Sequence, residues 1–174
     1  LYRGIVMSYT LILGVYTGDS EAAATQLERY HKSQDEVGIA EAVAIIKNAA
    51  GEDEVKVMGD PQKKARRVGA VAGALLGVLG GPLTMAVLGA GGAAAGDLVA
   101  KLTHAGVSKK MIAAVEDGLE PGSSAVIVIV EERAGDLLVK DLKGSGANVL
   151  NEMVASDVIE GKYLISPSGG ISET

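Results

Sequence analysis

Residues Ser124–Glu131 read SAVIVIVE, a run in which small and β-branched apolar residues occupy six consecutive positions. A short apolar run rich in Val and Ile is typical of a β-strand, and this one is the strongest strand prediction in the chain. The residues after it predict a short helix over 134–143, ended by a Gly-Ser-Gly turn, and a partner strand over 147–155. The C-terminal half therefore follows a β-α-β plan.

The N-terminal half repeats this plan. Residues 9–17, YTLILGVYT, predict a strand, and Ser20 is the candidate N-cap of an amphipathic helix over 21–34. Residues 39–48 predict a second strand, and the alternating EVKVM of 54–58 predicts a short strand that returns beside it. Two β-α-β units that share one sheet predict an α+β fold, namely a ferredoxin-like β-α-β/β-α-β sandwich.

A long uncharged segment lies between the two halves. The 29 residues from Val68 to Gly96 carry no charged side chain, and Thr84 is their only polar one. Gly80-Gly81-Pro82 near the centre is expected to break a helix. The segment therefore predicts two helical arms, over 62–79 and 83–102, joined as a hairpin.

These features divide the chain into four expected parts. Residues 7–58 form the first β-α-β half with its returning strand, and residues 60–106 form the inserted Gly/Ala-rich hairpin. Residues 107–157 hold a linking helix, over 109–119, and the second half. Residues 158–174 are rich in Gly and Ser and are expected to be a flexible tail. Met7 resembles a natural start, so residues 1–6 are expected to be an upstream extension.

Small residues recur every three or four positions along the arms, which on a helix places them on one face. They are Gly69, Gly73, Gly77, Gly89, Ala93 and Gly96. A face without side chains lets a second helix approach closely. Each Gly in a helix interior lowers helix stability by about 1 kcal/mol relative to Ala, so several glycines together lower it by several kcal/mol. Close packing of the helix has to offset this loss.

The sequence leaves open what packs on this small-residue face. The partner is the rest of the same protomer, the hairpin of another copy, or a lipid bilayer. Each arm has only about 14 uncharged residues, whereas a membrane-spanning helix needs about 20. We therefore expect a non-enzymatic structural protein that self-assembles as a homo-oligomer into a ring, tube, filament or membrane-associated assembly. A small membrane-inserted or membrane-surface protein is the alternative.

Four cations precede the uncharged segment: Lys63, Lys64, Arg66 and Arg67. Such a cluster is suited to anionic headgroups on the cytoplasmic side of a membrane, or it forms a solvated first helical turn. Positive charge opposes the dipole at a helix N-terminus, which adds some weight to an external acidic partner for these four residues. The expected localisation is cytoplasmic, with attachment to or insertion in the inner membrane as the further option.

The composition excludes several classes of function. There is no Cys, which excludes disulfides, thiolate nucleophiles and Cys-ligated metal centres, and two His residues are too few for a His-rich metal site. The formal net charge of −6 and the absence of Phe and Trp argue against nucleic acid as the main partner. No cofactor and no small-molecule substrate is expected.

One glycine motif points to an enzyme. Residues 88–96, LGAGGAAAG, contain G-x-G-x-x-A, which in a strand-turn-helix context binds dinucleotides. The acidic residue expected about 20 positions later lies on a predicted helix, at Glu116 and Asp117. A nucleotide-dependent enzyme is therefore the weakest of the functional alternatives.

The remaining reactive side chains are expected to be structural. The acidic groups Glu131-Glu132, Asp35-Glu36 and 52–54 fit solvated strand ends and loops, although paired carboxylates also serve acid–base chemistry. His31 and His104 are expected near helix C-termini, where a cation suits the dipole. Ser123-Ser124 follows a Pro-Gly turn without a neighbouring His, so no nucleophile is predicted there.

The sequence resembles a family of bacterial and archaeal proteins of unknown function, domain-of-unknown-function family number 1269, whose members are often labelled predicted membrane proteins. The resemblance rests on LEPGSSA at 119–125, which runs directly into a strand, and on the basic-to-glycine transition over 67–77. It extends over about 9–156. It implies a ferredoxin-like domain with an inserted helical hairpin, and it implies no reaction and no catalytic residues.

Overall fold

A computed structural model describes residues 8–58, 70–80, 95–104, 106–154, 163–165 and 171–173. Seven strands and five helices lie within these ranges. In chain order they are β1 (Tyr9–Tyr16), α1 (Ala22–Val37), β2 (Ile39–Lys47), β3 (Asp53–Val57), α2 (Ala70–Gly80), α3 (Ala95–His104), α4 (Lys109–Glu116), β4 (Ser124–Glu131), α5 (Glu132–Gly144), β5 (Asn148–Val154), β6 (Tyr163–Ile165) and β7 (Ile171–Glu173).

Strands β1 to β5 form one sheet in the order β3-β2-β4-β1-β5. All four neighbouring pairs are antiparallel, and β4 lies in the middle, where Ile127 faces Leu13 of β1 and Val43 of β2. The two β-α-β units interleave, because β4 lies between β1 and β2 and β1 lies between β4 and β5. The prediction of an α+β fold is confirmed.

The apolar run of β4 is uninterrupted because helices cover both faces of the sheet at this strand. Val126, Val128 and Val130 face α1 and α5, whereas Ala125, Ile127 and Ile129 face the opposite side of the sheet. That opposite side is covered by α2, α3 and α4, and we call it the hairpin face. A strand with one solvated face alternates apolar and polar residues. Because both faces of β4 are buried, its residues are apolar without such alternation.

The turns around α1 correct one prediction. Ser20 does not cap the helix: Oδ1 of Asp19 instead accepts hydrogen bonds from the backbone N–H groups of Glu21 and Ala22, at 3.1 and 3.0 Å. The helix continues to Val37 and ends at Gly38, whose φ of 78° is a left-handed conformation that favours glycine. The sequence placed the end of this helix three residues too early.

The C-terminal segment contains a small hairpin of its own. Strands β6 and β7 pair in antiparallel register, with Leu164 opposite Ser172, and β6 contacts α2. Both strands fall within the part expected to be a flexible tail.

Candidate functional site

The residues predicted to mediate assembly are divided between described and undescribed parts of the chain. Gly73 and Gly77 lie in α2, and Gly96 lies in α3. The other three, Gly69, Gly89 and Ala93, lie outside the described residues. So do the basic residues Lys63, Lys64, Arg66 and Arg67, and the G-x-G-x-x-A motif at 89–94.

Helix α2 has a bulky side that packs on the sheet. At about 100° per residue, four of its buried side chains fall within one arc of the helix. They are Ala72, Leu75, Leu76 and Leu79, which join the apolar core of the hairpin face. Gly73 and Gly77 lie outside this arc.

The small-residue side of α2 is only partly covered. Helix α2 contacts α3 and α4 as well as β2, and Gly77 is buried within the protomer. Gly73, one turn earlier, is half-buried. The contact between α2 and α3 brings together the two predicted arms of the hairpin.

The two described helices of the hairpin are short relative to the thickness of a bilayer. Helix α2 has 11 residues and α3 has 10, against about 20 needed to cross the hydrocarbon core. Among the described residues, no helix combines the length and the apolar character that a membrane crossing requires.

Ser123 and Ser124 connect β4 to the turn before α1. The Ser123 hydroxyl oxygen accepts a hydrogen bond from the Gly18 N–H at 2.9 Å. The Ser124 hydroxyl donates to the Asp19 carbonyl at 2.7 Å and accepts from the Ala23 N–H at 3.2 Å. Both serines are buried, so their hydroxyls satisfy backbone groups that would otherwise be orphaned.

A second polar network lies between α1 and α5, and we call it the Asp141 cluster. It consists of Tyr16, Gln26, Arg29, Tyr30, Asp141 and Ser145. The Asp141 carboxylate accepts hydrogen bonds from the Gln26 amide, from the Tyr30 hydroxyl at 3.1 Å and from the Arg29 guanidinium at 3.2 Å. The ion pair with Arg29 is more than half exposed on the arginine side, so it contributes little by itself.

The direction of the bond between Tyr16 and Ser145 follows from their partners. Their oxygens lie 2.7 Å apart, and the Ser145 hydroxyl donates its single hydrogen to the Leu142 carbonyl at 2.8 Å. Tyr16 is therefore the donor to Ser145. Burial raises the pKa of Tyr16 and of Tyr30 above the usual value, and the nearby Asp141 charge raises both further.

These raised tyrosine pKa values predict a loss of stability in alkali. Because the folded chain holds the Tyr16 and Tyr30 protons more tightly than the unfolded chain, their contribution is complete below pH 10 and falls above it. We expect the free energy of unfolding, measured in urea between pH 8 and pH 11.5, to decline above about pH 10. The decline should be smaller in Tyr30→Phe, and parallel curves for the two proteins would contradict this assignment.

The other reactive groups singled out in the sequence do not converge. Glu131 pairs with Arg133 at 2.6 Å, while Glu132 is exposed at the start of α5. In the acidic stretch 52–54, Asp53 pairs with Lys47 at 3.2 Å. Within the described ranges, no three His, Asp or Glu side chains are grouped as metal ligands would be.

The two histidines lie on different helices. His104 is the last residue of α3, as expected, but His31 lies well inside α1, because this helix extends to Val37. The expectation that His31 benefits from a helix C-terminus is therefore wrong.

A family model for proteins of unknown function, DUF1269, matches residues 67–160, which is more than half of the chain. The chain belongs to the DUF1269 family. The match spans α2 to β5 and includes the LEPGSSA motif and the hairpin from residue 67 onward. The DUF1269 match begins after β3, whereas the resemblance was expected from residue 9. No curated protein and no solved structure matches the chain.

The structure adds the Asp141 cluster, which the sequence reasoning missed. Gln26, Arg29 and Tyr30 stand three and four residues apart on α1, so they share one side of the helix. Gln26 is only 2% exposed on that side. A polar residue within the apolar stripe of an amphipathic helix was the available signal, although its partner Asp141 lies 115 positions away.

Proposed function

We propose that the protein is a non-enzymatic structural protein that self-associates through its helical hairpin, residues 60–106. The bulky side of the hairpin is anchored on the sheet of its own protomer. The small-residue side around Gly73 packs against the hairpin of another copy. The product is a ring, tube, filament or membrane-associated assembly.

One observation carries this proposal: α2 is anchored on the sheet along one side, and its cover within the protomer is incomplete at Gly73. Leu75 and Leu76 are completely buried against the sheet, while Gly73 is half-buried at the surface of the same helix. None of the 11 residues of α2 is charged or polar. An apolar helix with a partly exposed glycine suits close packing with a second helix, because no side chain at that position holds the two backbones apart.

The finer classification of the domain belongs to the same proposal. We infer a ferredoxin-like sandwich with an added edge strand, β3, and with the hairpin inserted between β3 and β4. The order β2-β4-β1-β5, with α1 and α5 on one face, supports this classification.

The experiment compares two glycine-to-leucine variants. Gly73→Leu places a bulky side chain on the proposed contact, whereas Gly144→Leu places the same side chain at the end of α5, where a Cβ meets no atom within 4 Å. We expect light scattering after detergent-free lysis to find a large discrete particle for the wild type and for Gly144→Leu. Gly73→Leu should form small species with an unchanged circular dichroism spectrum.

Two results would overturn the proposal. A monomeric wild-type protein would mean that the glycines serve packing within one chain. Normal assembly of Gly73→Leu would mean that other surfaces make the contact. Wild-type protein that stays in carbonate-washed membranes without detergent would instead support the lipid-inserted alternative.

A further inference from the structure

An open groove of about 450 Å³ runs between α1 and α5, on the face of the sheet opposite the hairpin. Its volume lies within the range of small-molecule sites, about 300–1,000 Å³. It is lined by Arg29, Leu137, Lys140, Asp141, Gly144 and Ser145. Three members of the Asp141 cluster, Arg29, Asp141 and Ser145, therefore line the groove.

The charges that line the groove favour an anion. Arg29 and Lys140 are cations, and Asp141 is the single carboxylate. The Asp141 oxygens already accept three hydrogen bonds from the protein, so they offer little to a ligand. The chain as a whole has a formal net charge of −6, but the residues that line the groove carry a net positive charge. This local positive charge attracts negative ligands.

The Arg29 guanidinium retains free donors. Two of its bonds go to the protein, to the Gln26 amide oxygen at 3.0 Å and to Asp141 at 3.2 Å. A guanidinium has five N–H groups, and this side chain is 58% exposed, so the other donors are available to an anionic oxygen. The buried Gln26 holds the guanidinium in place, which lowers the entropy cost of binding.

The groove also has an apolar wall. Leu137 lies three residues before Lys140 on α5, so the two side chains share one side of the helix. Leu137 is 62% exposed, and Leu137 and Met153 are the large apolar side chains most exposed within the described residues. A ligand that reached Lys140 with an anionic group would contact Leu137 with its neighbouring carbons.

We propose that this groove binds a small organic carboxylate that carries an apolar chain. Arg29 and Lys140 bind the carboxylate oxygens, and Leu137 contacts the chain. Arginine pairs with carboxylates through parallel N–H···O bonds, which gives the site its orientation. The site lies on the opposite face of the sheet from the proposed self-association surface, so neither proposal depends on the other.

The test uses hexanoate as the probe, with acetate and 1-hexanol as comparisons, on the full chain. Saturation-transfer NMR, observed on the ligand, suits an assembly of any size. We expect saturable hexanoate binding, and a dissociation constant roughly two- to fivefold higher in Lys140→Gln, as the loss of one exposed charged contact implies. Lys140 makes none of the bonds of the Asp141 cluster, so this variant leaves the cluster in place.

The matched control is Lys143→Gln, an exposed lysine of the same helix that does not line the groove. It should bind hexanoate like the wild type. Acetate should bind more weakly because it lacks the chain, and 1-hexanol more weakly because it lacks the charge. Equal binding by Lys140→Gln, equal binding of 1-hexanol, or no saturable binding of hexanoate would each overturn the proposal.

Discussion

Replacing Leu75 by Ala should lower the free energy of unfolding by about 2–5 kcal/mol, the range for large-to-small changes in a closed core. Leu75 is completely buried in the apolar core of the hairpin face, with Leu13, Ile45 and Ile127 of the sheet in the same core. Truncation removes apolar contacts and leaves a cavity that the rigid sheet cannot fill. Urea unfolding at one protein concentration measures the change.

The control for Leu75→Ala is the same substitution at Leu137, which is 62% exposed and should change stability by less than about 0.5 kcal/mol. If the two variants lost equal stability, α2 would not be part of the domain core. The claim that the bulky side of the hairpin packs on the sheet of its own protomer would then be wrong.

Replacing Gly135 by Val should destabilise the domain by about 3 kcal/mol through overpacking. Gly135 lies where α5 crosses β1, and a Cβ built there would be 2.6 Å from Oγ1 of Thr10. Thr10 is buried in an inner strand and β-branched, so it cannot rotate away cheaply. The helix must move off the sheet, and the transition midpoint in urea should fall accordingly.

Two further variants isolate this contact. Gly144→Val lies in the same helix in open space, so it should cost less than about 1 kcal/mol. Thr10→Ala removes the Oγ1 and Cγ2 atoms that a Gly135 side chain would meet. The double variant Thr10→Ala/Gly135→Val should therefore be more stable than the sum of the single effects predicts. Strict additivity would show that the cost at Gly135 does not come from Thr10.

The patterns that predicted the fold correctly are those with a local physical cause. Six consecutive apolar residues in β4 indicate a strand, and burial on both faces explains why no polar residue interrupts them. The α+β class followed because strands and helices were each predicted from their own apolar patterns. Such features can be predicted from neighbouring residues alone, without knowing which distant residues contact them.

The features that the sequence reasoning placed wrongly or missed have more than one cause. Ser20 looked like an N-cap, but the side chain of its neighbour Asp19 accepts the N–H groups of Glu21 and Ala22, and the Ser124 hydroxyl of β4 accepts the Ala23 N–H. The Asp141 cluster joins α1 to α5, and only the packing of these helices brings its members together. The small-residue spacing of the hairpin fits packing within the protomer, between protomers or in a bilayer, and the sequence favoured self-association without deciding among them.

The most direct test of the account asks whether Gly73 of one protomer meets the hairpin of another. The chain has no Cys, so Gly73→Cys carries a single thiol, and Ala50→Cys in the exposed turn between β2 and β3 is the control. With a short bis-maleimide, we predict covalent dimers for Gly73→Cys and monomers for Ala50→Cys. Monomers from both variants, or equal dimer yields, would contradict self-association through the hairpin.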